Sequence, residues 1–214
     1  QVIHYMICVV RAGDGFQIMI KFQGSLSLPL EKFKVIFDNA VKHKQQNVEA
    51  ICISTVSIDG IPSSRMVNIK YVEDNNLIFF SNFNSPKSID LQNNNDISCV
   101  FFWHSINTQI RIIGKAKKIN SKESDQHFKK RKKKKNALAI SSNQSKKIDS
   151  YEDVIKKYQD VLRNNSCDQR PDYWGGFKII PTYFEFWTGH DSRINKREVY
   201  ELNDGNWSNF FLEP

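Results

Sequence analysis

"EAICISTVSIDGIPSSRMVNIKYVEDNNLIFFSN", residues 49–82, decides the fold class of this chain. It holds three runs rich in β-branched and aromatic residues, broken by Asp59-Gly60 and by Asp74-Asn75-Asn76. Such runs read as strands, and Asp-Gly or Asp-Asn between them reads as the tight reversal of a hairpin. The stretch therefore predicts an antiparallel meander.

Upstream, "LPLEKFKVIFDNAVKHK" places Leu30, Phe33, Phe37, Ala40 and Val41 at helical spacing behind Pro29, which predicts an amphipathic helix over residues 30–44. Downstream, "SPKSIDLQNNN" reads as a short helix, and "ISCVFFWHSINTQIRIIGKAKKI" as two more strands. Residues 121–132, beginning Ser-x-x-Ser, and "SYEDVIKKYQDVLRN", with Val154, Tyr158, Val161 and Leu162 on one face, predict two further helices. "GGFKIIPTYFEFWTG" and "REVYELNDGNWSNFFLEP" return to strands. Six or more antiparallel strands with appended helices make an α+β domain built on a small closed barrel.

The composition fits one globular domain: 214 residues, 40% hydrophobic and 12% aromatic. Residues 28–214 are read as that single domain. Residues 1–27 are set apart as an N-terminal extension, within which Met19 is a candidate start. The apolar run "VIHYMICVV" is too short to span a bilayer, so no membrane partner and a cytoplasmic location are expected. Cys8, Cys52, Cys99 and Cys167 lie far apart with no CxxC pair, which argues for buried thiols and no metal site.

A formal net charge of +8 comes almost entirely from the seven consecutive basic residues Lys129 to Lys135. The run attracts phosphate of some kind. Its lysines are not interleaved with aromatics and no RNA-recognition motif accompanies them, so no nucleic-acid partner is expected. The lysines around Arg131 are read as a solvated loop.

Six collinear stretches resemble the pyridoxamine 5′-phosphate oxidase family: "RMVNIKY" (65–71), "FFSNFNSPK" (79–87), "FFWHSINTQIRIIGKA" (101–116), "SSNQS" (141–145), "WGGFKIIPTYFEFWTG" (174–189) and "RINKREVY" (193–200). The resemblance covers Leu28 to Pro214. It implies an FMN-binding split barrel, α+β, in a homodimer with FMN at the subunit interface. It also implies the activity: pyridoxamine or pyridoxine 5′-phosphate becomes pyridoxal 5′-phosphate, with hydride passing to the flavin and dioxygen as the final oxidant.

A flavin monophosphate needs cations for its phosphate, polar contacts at the ring edge and an apolar wall. By resemblance, Arg65 and Lys87 address the phosphate. Met66, Val67, Asn68, Ile69 and Lys70 continue the FMN-contacting strand, with Phe80 and Ser81 as the next pair. Gln109, Gln144, Ser145, Trp187 and Arg197 complete the cofactor shell. Alone, Arg65 and Lys87 would pass as surface cations and Trp187 as core. One departure is Pro86, where the family commonly carries an Arg.

The substrate side departs further. Lys70 and Arg131 match the family's phosphate ligands, but His127 stands at a Tyr position and Lys135 at a Ser position. Arg193 matches a residue at the reacting end of the substrate, whereas Asn195 replaces a His; these two are the catalytic candidates. Leu138-Ala139-Ile140 stands where the family has Gly-Ala-Trp, and the family's N-terminal Arg-x-x-Tyr is not recognisable in residues 1–27. The competing readings are a same-family oxidase of the phenazine-biosynthesis type and a flavin- or pyridoxal-phosphate-binding protein without turnover.

Overall fold

The structure, a computed structural model, describes residues 19–164 and 167–214. "VIHYMICVV" and Cys8 lie outside the described residues. Among the described residues the chain forms nine strands and five α-helices, all strands belonging to one sheet.

The meander falls where the sequence places it. Strands β2 (Ala50–Val56), β3 (Pro62–Glu73) and β4 (Asn76–Asn82) run antiparallel. Asp74 and Asn75 both take positive φ between β3 and β4, the backbone of a type I′ reversal that matches strand twist. The same device recurs at Asp204-Gly205, between β8 (Lys196–Asn203) and β9 (Asn206–Leu212).

Closure comes from β7 (Trp174–Thr188), which pairs from Phe177 to Thr188 with β6 (Thr108–Lys118). Its other edge is divided: residues 174–179 pair with β4 and residues 183–188 with β8. With β5 (Asp96–Trp103) between β2 and β6, the ring β3-β2-β5-β6-β7-β4 closes on itself. The sheet β8-β9 extends from it, so the barrel is split. Pro181 sits at the handover from β4 to β8, where its missing N–H costs no ladder bond. There the register shifts: Ile113 faces Tyr183 and Gly114 faces Pro181, leaving Thr182 as the extra residue of a bulge.

Alternate residues of the barrel strands point inward and fill it: Ile51 and Ile53, Ile69, Phe79, Phe101, Ile110, Ile112 and Phe177 are buried. Helix α1 (Leu28–Lys42) packs against this core through Leu30, Phe33, Phe37 and Ala40. Phe33 and Phe37 meet Trp103 with ring centroids 5.7 and 6.0 Å apart, and Trp103 donates Nε1–H to the Val48 carbonyl. Short strand β1 (Lys21–Gln23) lies in the N-terminal stretch and runs parallel to residues 71–73 of β3, beyond the point where β2 leaves that edge.

The remaining helices are α2 (Pro86–Asn93), α3 (Ser121–Lys130), α4 (Lys133–Ser141) and α5 (Tyr151–Arg163). Two details differ from the sequence reading. Helix α3 is capped by Asn120, whose side chain accepts from Glu123 N–H, rather than by a serine. The basic run is not a loop: Lys129 and Lys130 end α3, Arg131 and Lys132 link, and Lys133 to Lys135 form the first turn of α4. Burial of Asn136 and Ala137 anchors that helix, with Asn136 Nδ2 donating to the Phe128 and Cys167 carbonyls at 3.1 and 3.0 Å. Side-chain anchoring of this kind is invisible in a charge run.

The tightest packing constraint is at the bulge. A Cβ on Gly114 would lie 2.2 Å from the Ile180 carbonyl oxygen, a backbone atom with nowhere to go, so β6 and β7 approach only through glycine. Gly114→Ala should lower stability by about 2–3 kcal/mol as an overpacked site. Gly60→Ala, in a turn with positive φ but open space, should cost only about 1 kcal/mol. Urea unfolding midpoints of the two variants check the ranking.

Candidate active site

Two cation clusters flank β3 and β4. The first lies at the end of the barrel on its inner side. Arg65 sits in the inward row opposite Ile53, and its guanidinium donates to Thr55 Oγ1 and Ser63 Oγ, both at 2.7 Å. Thr55 in turn donates to Asp90 Oδ2 at 2.6 Å, so a carboxylate reaches the guanidinium only through a hydroxyl.

Lys87, on α2, is 6% exposed, and its Nζ donates to Ser85 Oγ at 2.9 Å and Ser81 Oγ at 3.1 Å. Burial and the neighbouring Arg65 pull its ammonium down to about 8. A buried lysine met by hydroxyls, beside an arginine, is a costly arrangement for an empty protein and a good one for a dianion. The residues present therefore fit a phosphate. Pro86 sits in the first turn of α2 behind Ser85, where a missing N–H costs nothing.

The second cluster begins at a bulge in β3. Ile69 pairs with Phe79 and Tyr71 with Ile78, so Lys70 is the extra residue. A bulge re-aims one side chain out of the alternation. The Lys70 ammonium lies 3.8 Å from Glu49 Oε1, and its pKa is lowered by burial, against the pull of Glu49, with Lys135 and Arg131 adding to the lowering. Glu49 is itself buried, and its Oε2 has no hydrogen-bond partner.

Arg131 stacks on Trp174, its guanidinium carbon 4.3 Å from the ring centre. One Nη2–H reaches the Lys135 carbonyl at 3.1 Å, while its buried Nη1 has no partner. Desolvation brings even this guanidinium down to about 10. An arginine nitrogen buried without an acceptor marks a place for an anion.

His127 joins the second cluster from α3. Its ring lies parallel to Phe80, with centroids 3.7 Å apart, and Nδ1 meets the Tyr71 hydroxyl at 2.8 Å. Burial, then Arg131, Lys70, Lys130 and Lys21, push it down to about 3. It is a neutral imidazole over the whole physiological range.

The other candidates form a third group. Gln109, Trp187 and Arg197 are paired in one lateral row across β6, β7 and β8 and so face the same way. Arg197 donates Nε–H to Glu185 Oε1 at 2.8 Å and Nη1–H to the Glu213 carbonyl, while Arg111 meets Glu185 Oε2 at 2.7 Å. This row is on the outward face: Phe102, opposite Gln109, is 54% exposed, and in the next lateral row, which runs through Arg111, Met66 is 62% exposed and Cys52 is half-buried. Arg65 belongs to the opposite, inward row, so one chain turns the two groups to different faces of the barrel wall.

Along β3, Met66 and Asn68 are exposed, whereas Ile69 is core and Val67 packs against it. Ile69 can offer a ligand only its backbone, whereas Val67 is partly exposed. Gln144 reaches the end of β4, its Oε1 accepting from Asn82 N–H at 3.4 Å, and exposed Ser145 takes a positive φ. Arg193 and Asn195 lie in the loop between β7 and β8 with local contacts: Arg193 N–H donates to the His190 carbonyl, and Asn195 Oδ1 accepts from His190 N–H.

Sequence matching does not single out Tyr71, Glu49, Thr55 or Asp90. Tyr71 ends the quoted "RMVNIKY" and Glu49 opens the stretch 49–82, but residue type alone assigns neither a role, and only the folded contacts reveal them. Among the described residues no cluster of three or more His, Cys, Asp or Glu side chains could hold a metal, and no helix is long and apolar enough to cross a membrane.

The two conspicuous glycines of "WGG" have a packing reason. A Cβ on Gly175 would come 2.6 Å from the Phe83 ring, and one on Gly176 would come 2.4 Å from Ile119 Cδ1. Their absence lets α3 settle on β7, where Ser124 Oγ accepts Gly176 N–H. That places His127 and Arg131 over Phe80 and Trp174.

Comparison with known proteins agrees with this geometry. The family model described as pyridoxamine 5′-phosphate oxidase matches residues 37–161, and that of the pyridoxine 5′-phosphate oxidase C-terminal dimerisation region matches residues 174–214. A pyridoxine/pyridoxamine 5′-phosphate oxidase of Nostoc punctiforme is 37% identical over 189 residues, 87% of this chain and 88% of that protein. Its counterpart in Legionella pneumophila is 34% identical over 204 residues, 94% of each. Among solved structures, PhzG from Burkholderia lata in complex with tetrahydrophenazine-1-carboxylic acid superposes with a TM-score of 0.84 at 25% identity, covering 87% of this chain and 92% of that one. The chain belongs to the pyridoxamine 5′-phosphate oxidase family and is an FMN-dependent oxidoreductase.

Proposed function

We propose that this protein oxidises pyridoxamine or pyridoxine 5′-phosphate to pyridoxal 5′-phosphate, with dioxygen as the oxidant, as a homodimer with FMN at the subunit interface. The observation that carries this reading is the pair of under-neutralised cation clusters on the two sides of β3 and β4. The reaction needs two phosphates held at once, one of the cofactor and one of the substrate.

When bound, FMN supplies the hydride acceptor and the route to dioxygen. The chain's own residues bind and orient. Arg65 and Lys87, with the Ser81 hydroxyl, would hold the cofactor phosphate; Met66 to Lys70 and Phe80 would line the flavin from the β3–β4 wall, and Gln144 and Ser145 would close it from beyond α4. Lys70, Arg131 and Lys135 would hold the substrate phosphate, with His127 as a neutral donor.

The division of faces supports the dimer. Gln109, Trp187 and Arg197 face outward on the sheet that includes the dimerisation region, so they would complete the FMN site of a partner, and Arg193 and Asn195 would reach its substrate. Asn195 cannot move a proton near neutral pH. Its proposed role beside Arg193 is to orient the carbon that gives up hydride.

A second reading, a same-family oxidase with a phenazine-type substrate, is favoured by the structural likeness to PhzG and by His127, Lys135 and Asn195. The partnerless Nη1 of Arg131 favours a phosphorylated substrate. The purified protein should be yellow, bleach with pyridoxine 5′-phosphate in the absence of air, and yield aldehyde and peroxide in air. A yellow protein that neither B6 phosphate bleaches would sink the proposal and leave the second reading or a binding role without turnover.

Lys87→Ala should weaken FMN binding by roughly 10- to 100-fold, the range for a charged hydrogen bond of about 1.5–3 kcal/mol. Lys122→Ala, on the exposed side of α3, should leave binding unchanged. Fluorescence titration of FMN separates the two.

FMN affinity should also depend on pH. Lys87 titrates near 8 in the ligand-free chain, and a dianionic phosphate favours its charged form, so the bound complex holds its proton to higher pH. Affinity is then full below 8 and falls as pH rises beyond it, by up to about tenfold per unit. Lys87→Arg, which stays charged, should flatten that slope.

A further inference from the structure

The imidazole of His127 is held in its plane by aromatic neighbours. Phe80 lies parallel at 3.7 Å with 9° between planes, and Trp174 is parallel within 12° at 6.2 Å. Stacking leaves one freedom open: a half-turn about the Cβ–Cγ bond keeps the plane but exchanges Nδ1 with Cδ2, and Nε2 with Cε1. The Tyr71 hydroxyl, 2.8 Å from Nδ1, removes it.

That hydrogen bond also selects a tautomer. A phenol is a far better donor than a neutral imidazole N–H, and a ring nitrogen lone pair is a better acceptor than a phenol oxygen. The hydroxyl proton therefore goes to Nδ1, and the ring's own proton goes to Nε2.

The tautomer matters because His127 meets an incoming anion as a neutral ring. Burial first, then the charges of Arg131, Lys70, Lys130 and Lys21, hold it in that form before a ligand binds. In one tautomer Nε2 offers a phosphate an N–H; in the other it presents a lone pair. Glu73 is the acidic group that acts on Tyr71.

We propose that Tyr71 is a positioning residue: by donating to His127 Nδ1 it holds the imidazole as the Nε2–H tautomer, which gives the substrate phosphate its donor beside Lys70, Arg131 and Lys135. The proposal rests on the reading of that cluster as the substrate-phosphate site.

The test uses FMN-loaded protein, pyridoxal 5′-phosphate as the phosphate probe and pyridoxal as the phosphate-free control. Tyr71→Phe keeps the ring and should retain FMN. It should weaken pyridoxal 5′-phosphate binding by roughly tenfold, the loss of one hydrogen bond to a charged group, and leave pyridoxal binding unchanged. In His127→Gln, whose amide donates without tautomers, adding Tyr71→Phe should have no further effect. Nitrogen-15 NMR should show His127 as the Nε2–H form in the unsubstituted protein and a shift toward Nδ1–H in Tyr71→Phe.

An Nδ1–H form in the unsubstituted, ligand-bound protein overturns the proposal, as does unchanged pyridoxal 5′-phosphate affinity in Tyr71→Phe. Arg131→Ala tells the two failures apart. If it weakens pyridoxal 5′-phosphate binding while Tyr71→Phe does not, the phosphate site stands and the positioning role falls. If neither variant weakens binding, the site reading falls with it.

Discussion

The handover along β7 is the constraint on which the rest of the molecule depends. One edge of this strand serves β6 from Phe177 to Thr188, and the other serves β4 and then β8. Between them the chain spends three residues, Ile180 to Thr182, with a proline where no partner asks for an N–H and a bulge that turns the strand. Gly114 allows the close approach that this turn requires. Without the handover the sheet would either stay open or close without the β8–β9 extension that carries Arg197.

Closure separates inside from outside, and the site candidates divide accordingly. Arg65, Ser81 and Lys87 gather at the inner end of the barrel, while Gln109, Trp187 and Arg197 line its outer face. Lys70 escapes the alternation only through the bulge at Ile69–Tyr71. Two features that interrupt regular strands thus do most of the placing, one shaping the barrel and the other the site. The energetic signature is consistent: Lys87 and Arg131 are cations buried more deeply than their partners justify, which disfavours the protein without ligand and favours it with a phosphate.

The architecture was largely legible in the sequence because strand alternation, type I′ turn residues and helical periodicity are local signals. The meander, α1 and the β5–β6 pair follow from them within a residue or two. The basic run was not legible. Its lysines look alike by composition, yet the fold assigns them to a helix end, a link and a helix start because Asn136 and Ala137 further on are buried against Phe128 and Cys167. The short strand β1 escaped for a related reason: three residues become a strand only because β3 has a vacant edge there.

Residue type and spacing alone carry which elements form, which family the chain resembles and which side chains bear charge. Folding in three dimensions sets which charges remain under-neutralised, re-aims Lys70 through a bulge, and brings Tyr71 to His127 across 56 positions of chain. Neutralisation, burial and hydrogen-bond partnership depend on distance in space. No local pattern encodes that distance until the barrel has closed.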